Sequence, residues 1–238
     1  MLQFEGIDAL ELHYKSTHQP RPLADEARNF LIEQLGLNQV NFVPPRKVRV
    51  KPPVEKDGTL GYILSRSLEV HGRPVSFVFA GDPQPEYEDG EEVNLKIPLL
   101  KKSLNYKLIQ NGHAYPLFYD TLFADLREAM AKAAQQAREK ELGLWQDDRS
   151  TDGLKVTGQE SLETDGIIFP KLFRRLTDYL AESNDEIDGF LDWLKEKREQ
   201  VQDLDTLNFT HFDNMVRVQG NKVKMIQIPE KLVFISAK

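Results

Sequence analysis

Residues 1–14 read MLQFEGIDALELHY, and the rest of the chain is best read outward from this stretch. A short apolar run, Leu2 to Ile7, leads straight into Asp8 and then Glu11. The pattern is that of a strand whose end delivers two carboxylates to the mouth of a small barrel. Carboxylates so placed fit metal-assisted phosphodiester chemistry, where one holds a cation and another activates water. Each also has a plainer role open to it: Asp8 as a cap on the turn that ends the strand, Glu11 as a solvated loop carboxylate. The run begins abruptly, without the strands that would precede it in a closed barrel.

Beyond this strand, residues 15–22 carry Ser, Thr, His, two prolines and an arginine and read as a loop. Leu23, Ala27, Phe30, Leu31 and Leu35 share one helical face, so a helix is expected over 23–35, closed by Gly36. Short strands are expected at 39–43 and 47–51, broken by Pro44-Pro45. After the Asp57-Gly58 turn signal come strands from Leu60 to about Val70 and over 74–80, joined by His71-Gly72. Residues 81–92 are acidic and read as an exposed loop. Helices are expected over 98–111, ending at Asn111-Gly112, and over 121–142, ending before Gly143. The polar stretch 146–166 reads as a linker. Helices at 169–182 and 185–201 follow, then a β-rich tail with strands at 215–218, 223–228 and 232–236.

Composition narrows the function classes. The chain has 238 residues, of which 40% are apolar and 29% charged, an ordinary balance for a globular protein. Without cysteine it has no disulfide, thiolate nucleophile or cysteine-ligated zinc. The five histidines are scattered, with no i, i+4 pair of the kind a helical zinc site uses. No apolar run is long enough for a membrane helix and no signal peptide is visible, so no membrane partner and a cytoplasmic location are expected. A net charge of −7 argues against constitutive tight binding of phosphate backbones, though acidic nucleases exist where a metal supplies the positive charge.

Five ordered segments carry a family resemblance. GIDALE (Gly6 to Glu11) resembles the G-[IV]-D-[AT]-P-E segment of staphylococcal-nuclease-like domains. Residues 22–27, PLADEA, resemble that family's first helix start. Residues 56–62, KDGTLGY, resemble its D-x-[YF]-G-R-x-L-[AG]-Y segment. Leu104-Asn105 through Gly112-His113-Ala114-Tyr115 resembles its V-N-x-x-L-[VI]-x-x-G-x-A helix end. Residues 136–145, QAREKELGLW, resemble its closing helix, with Trp145 the most distinctive position.

The resemblance covers most of residues 1–148. It implies an α+β fold with an OB-like five-stranded β-barrel capped by three helices. It also implies Ca²⁺-dependent cleavage of DNA or RNA, with no ion needed if the site is inactive. Carried over residue by residue, the metal-binding aspartate matches Asp8 and the following backbone ligand Ala9. The proline becomes Leu10, and the catalytic glutamate matches Glu11. The two arginines that neutralise charge on the phosphorane fall at Gln3 and Thr59, and the family's upstream D-G-D has no counterpart before Met1. Loss of one preorganised donor of this kind costs on the order of 10²–10³ in rate. Weak or absent cleavage is therefore expected, with a non-catalytic module binding nucleic acid or protein as the alternative. Arg21, Arg46, Arg49 and Arg66 are the substitutes nearest in sequence. Tyr115, Phe118 and Tyr119 match the base-stacking aromatics, with helix-end packing as their plainer role.

The expected organisation is a nuclease-like domain over 1–148 lacking its first two strands, a linker over 149–168, and a helical and β-hairpin extension over 169–238. The alternating run 212–228 around Gly220-Asn221 is a hairpin that could complete the barrel, within the chain or by strand exchange in a homodimer. Phe169, Leu172, Phe173, Leu176 and Leu180 give the first extension helix an apolar face suited to docking or oligomer formation.

Overall fold

The computed structural model describes residues 2–37, 40–43, 59–85 and 87–236. The strand expected at 47–51, the Asp57-Gly58 turn, Arg46 and Arg49 lie outside them. The opening apolar run forms two short strands, β1 (Gln3–Phe4) and β2 (Ile7–Ala9). Gly6 turns the chain between them at φ 74°. A Cβ there would lie 2.8 Å from Met130 Cε, so only glycine allows both this backbone and the methionine's approach. α1 (Arg21–Gln34) follows, burying Ala24 and Ala27. β3 (Gly61–Leu68) and β4 (Pro74–Ala80) pair antiparallel, and β1 adds to β4 in parallel.

The helix expected over 98–111 is two, α2 (Ile97–Leu100) and α3 (Leu104–Gln110). Ser103 divides them: its hydroxyl donates to the Leu100 carbonyl at 2.6 Å and accepts from Tyr106 N at 3.1 Å, capping α3. On α3, buried Asn105 donates to the Glu5 carbonyl at 2.8 Å and the Ser76 carbonyl at 3.0 Å, and accepts from Val78 N at 2.9 Å. One amide thus satisfies backbone groups of the β1–β2 turn and of β4. β2 leaves the first sheet to pair antiparallel with β5 (Ala114–Pro116), setting Asp8 opposite Tyr115. β6 (Phe118–Tyr119) follows, then α4 (Ala124–Glu139), which buries Leu126, Met130 and three alanines. Gly112 and Gly143, from two separate motifs, meet backbone to backbone: Leu144 N donates to the Gly112 carbonyl at 2.9 Å. A Cβ on either glycine would collide with the other segment's carbonyl.

The stretch expected as a linker is folded instead. It holds β7 (Leu154–Lys155) and α5 (Gln159–Thr164), and Leu154, Val156, Leu162, Ile167 and Ile168 are buried. α6 (Pro170–Ser183) and α7 (Phe190–Glu196) come next. α7 is shorter than the expected 185–201 at both ends: Asn184, Asp185 and Gly189 turn left-handed before it, at φ 54°, 66° and 87°, and Arg198 does so after it, at φ 51°, where β8 (Gln200–Asp203) follows. β9 (Phe209–His211), β10 (Val216–Gln219), β11 (Lys222–Met225) and β12 (Leu232–Phe234) complete the chain.

Among the described residues the sheets are β1-β4-β3, β10-β11-β7, β6-β12-β8-β9 and β2-β5, and none closes into a barrel. The hairpin β10–β11 ladders with β7 of its own chain and not with residues 2–7. The strand that joins the C-terminal residues to a sheet element of the first half is β12, which runs parallel to β6 in the four-stranded sheet. The apolar face of α6 is also used internally: Phe169, Leu172, Phe173, Leu176 and Leu180 are at most 1% exposed and share one core with Tyr115, Phe118 and Trp145.

Candidate functional site

Asp8 leaves β2 half-buried, and the chain then folds back on itself over residues 10–19. Leu10, in the place of the family's proline, is buried and anchors the start of this loop in the core. Tyr14 and Thr17 exchange backbone hydrogen bonds at its tip. Gln19, fully buried, closes its base by accepting from Glu11 N at 3.1 Å. The loop's remaining anchors come from the C-terminal half. Gln19 donates to the Ile168 carbonyl at 2.7 Å, the Thr17 hydroxyl to Glu163 at 2.5 Å, and the Tyr14 hydroxyl to Asp178 at 3.0 Å.

The charge on the two carboxylates is met by Arg174 of α6. Its Nη2 donates to Asp8 Oδ2 at 2.8 Å, and its Nη1 donates to Asp8 Oδ1 at 3.0 Å and Glu11 Oε1 at 2.6 Å. The fork is bidentate on Asp8 and bridges to Glu11, with side-chain exposures of 22%, 11% and 21% for Arg174, Asp8 and Glu11. Burial lifts the Glu11 carboxyl above its ordinary range even though Arg174 pulls it down. Burial also works against the guanidinium's charge, but the pull of Asp8 and Glu11 outweighs it, and Arg174 is held more firmly protonated than usual. A second ion-pair group lies one residue along α6. Arg175 donates to Glu199 at 2.7 and 2.9 Å and Lys171 pairs with it at 2.9 Å; against the cost of burial, these cations hold the Glu199 carboxyl down to about 2.

The structure brings the Asp8 and Glu11 carboxylates together on one guanidinium. Tyr115, Phe118 and Tyr119 make no hydrogen bond to either carboxylate, although Tyr115 is the ladder partner of Asp8. Ala9 sits in the β2–β5 ladder opposite Ala114. Tyr115 and Phe118 are fully buried and present no face to a base; the Tyr115 hydroxyl donates to Asp148 at 2.8 Å. Tyr119 is half-buried, with Phe234 beside it and the Lys171 ammonium over its ring. Gln3 is half-buried in β1 and Thr59 is exposed ahead of β3. Of the suggested substitute arginines, Arg21 pairs with Asp25 and donates to the Leu12 carbonyl, while Arg66 lies over the Phe123 ring at 4.2 Å. Arg174, which sequence reasoning missed, lies 166 residues from Asp8, and no local pattern marks it.

Among the described residues no group of three or more His, Asp or Glu side chains converges to hold a metal. Ca²⁺ takes six to eight oxygen ligands. Here both Asp8 oxygens and one Glu11 oxygen already accept from Arg174, so the residues present do not fit the ion. Two clefts among the described residues are lined without either carboxylate. One, of about 430 Å³, is lined by Glu5, Leu64, Arg66, Phe77, Leu122 and Phe123. The other, of about 360 Å³, is lined by Leu12, His13, Thr17, His18, Arg21 and Glu163.

Residues 1–147 match the family model for staphylococcal nuclease homologues. The chain belongs to the staphylococcal nuclease homologue family. Membership agrees with the order of the motifs and with what they do here. Gly6 turns the strand, Asn105 ties α3 to the sheet, and Gly112 and Gly143 lock the two helix ends together. The match stops just before the C-terminal half that supplies Arg174. No curated protein matches the chain. Among the described residues no helix is long and apolar enough to cross a membrane.

Proposed function

We propose that this chain is a nuclease-like domain that binds nucleic acid with little or no cleavage. The Arg174 fork carries the reading. A carboxylate that is to hold a cation, and one that is to take a proton from water, each need free oxygen lone pairs facing the substrate. Asp8 and Glu11 direct theirs at a guanidinium instead. Gln3 and Thr59 support the reading, since neither can neutralise charge gathering on a phosphorane.

Binding has a candidate place in the cleft beside β3, where Arg66 stacks on Phe123, a ring 60% exposed. Stacking surfaces with a nearby cation are how single strands are held without base readout. The chain's net charge of −7 makes such binding weak and salt-sensitive. A second reading has one observation in its favour: Arg174 reaches both carboxylates and so brings a guanidinium where the family's arginine is lacking.

One set of assays separates these readings. Single-stranded DNA, duplex DNA and RNA are incubated with Ca²⁺ or Mg²⁺ and wild type, Glu11→Ala or Arg174→Gln, and oligonucleotide binding is followed by anisotropy. The proposal expects equal trace cleavage in all three proteins and binding that weakens in Phe123→Ala. Cleavage by wild type that both Glu11→Ala and Arg174→Gln abolish establishes the second reading instead.

A further inference from the structure

One buried carboxylate of the first half takes no part in the Arg174 cluster. Glu5, just past β1, is 8% exposed and lines the cleft of about 430 Å³ beside β3. Its backbone is fixed on both sides. Glu5 N donates to the Ser76 carbonyl at 2.9 Å, and Asn105 donates to the Glu5 carbonyl at 2.8 Å. Burial lifts its carboxyl above the ordinary range, while the Arg66 charge and the Gly6 N–H pull it down. Among the described residues no side chain hydrogen-bonds to that carboxyl. A buried charge without such a partner is costly, and one that faces a cleft is placed to accept a ligand's donors.

The rest of the cleft narrows the ligand's chemistry. Leu64, Phe77, Leu122 and Leu126 make its walls apolar. Phe123 is 60% exposed, and the Arg66 guanidinium lies 4.2 Å from its ring centroid, so the two offer planes on which a heteroaromatic ring can stack. Glu92 also lines the cleft, so two carboxylates face one guanidinium. That balance disfavours a phosphate and favours the donor-bearing edge of a base. An ionised carboxylate accepts only. Guanine alone among the bases sets two donors, N1–H and N2–H, side by side on its Watson–Crick edge; in the others an acceptor flanks each donor.

We propose that the cleft takes an unpaired guanine base, whose N1–H and N2–H donate to the Glu5 carboxylate while its ring stacks on the Arg66–Phe123 pair. This rests on the binding reading above for the cleft's occupancy and adds which base is selected. The base can come from a single strand or from a free nucleotide. Guanine in a duplex is excluded, because its cytosine partner already accepts from both donors.

The test uses the full chain in EDTA, so that no cleavage interferes. Anisotropy is read for labelled oligothymidine strands carrying one central guanine, hypoxanthine, N1-methylguanine or adenine, or none. Calorimetric titration is run with GMP and AMP. Wild type should bind the guanine strand about tenfold tighter than plain oligothymidine, the effect of one bidentate pair. Hypoxanthine, which lacks the N2 amine, should keep part of that preference, and N1-methylguanine and adenine none. Glu5→Gln should lose the preference. Equal affinity for the guanine and thymine strands overturns the proposal and leaves the binding reading standing. A preference that survives N1-methylation, or that survives in a folded Glu5→Gln, overturns it too. If Glu5→Gln does not fold, the hypoxanthine and N1-methylguanine strands on wild type decide. GMP bound in preference to AMP by a chain that holds no strand supports the guanine site and removes the nucleic-acid reading. Binding of neither strand nor nucleotide overturns both.

Discussion

Replacing Arg174 by methionine keeps much of the side chain's length and removes its charge. Asp8 and Glu11 would then face each other in a site only 11% and 21% exposed, without a counterion. Breaking a buried pair from one side costs roughly 3–5 kcal/mol, because the partner charge is left uncompensated. Partial exposure of all three side chains places this case at the lower end, about 3 kcal/mol. In an Asp8→Asn/Glu11→Gln background the same substitution strands no charge and should cost about 1 kcal/mol or less, mainly lost packing. Urea unfolding of the four proteins measures both losses, and their difference, about 2 kcal/mol, is the coupling. Two results refute the reasoning. One is a loss below about 1 kcal/mol for Arg174→Met alone, the behaviour of an exposed surface pair. The other is an equal loss in both backgrounds, which would make the contact one of packing and not of charge.

Other consequences can be measured in the same way. Asn105→Ala leaves two carbonyls and one N–H without their side-chain partner in a buried setting and should destabilise by about 3 kcal/mol in urea unfolding, a large effect for one amide. Glu199, held at about 2 against an ordinary 4.5, contributes stability that is fully present above pH 4.5 and lost as pH falls toward 2. That loss amounts to about 3 kcal/mol, and Glu199→Gln should flatten the acid limb of the stability–pH curve. A fragment ending at residue 147, the limit of the family match, should lack cooperative unfolding by calorimetry. It would expose Tyr115 and Phe118, which now pack in one core with Phe169 and Phe234, and strip β6 of its partner β12.

What the sequence reveals depends on how local the physics is. Gly6, Gly112, Gly143 and Trp145 stand out because a left-handed turn, a backbone crossing or a helix end constrains the residue type within a few positions. The same locality makes α1 and α4 readable from helical spacing to within about three residues at each end. Residues 146–166 misread because their buried apolar residues, Leu154, Val156 and Leu162, are scattered among Asp, Gly, Thr and Ser with no repeating period. β5 and β6 hide their aromatics for the opposite reason: from Ala114 to Phe118 every residue is buried, so no alternation separates a core ring from a binding ring. The hairpin was recognisable as a hairpin, but its partner β7 is only two residues long and leaves no strand pattern. Arg174 is the extreme case. Arg174 and Arg175 lie among the apolar positions of an amphipathic helix, and only the folding of α6 brings them to partners far along the chain, Arg174 to Asp8 and Glu11 and Arg175 to Glu199.

The central claim is that the carboxylates of this nuclease homologue are committed to Arg174. Single-stranded DNA cleavage in Ca²⁺, with wild type and Glu11→Ala purified in parallel, tests it most directly. The account predicts indistinguishable residual rates. A wild-type rate that exceeds the Glu11→Ala rate by on the order of 10²-fold or more, the margin a working catalytic group supplies, contradicts it.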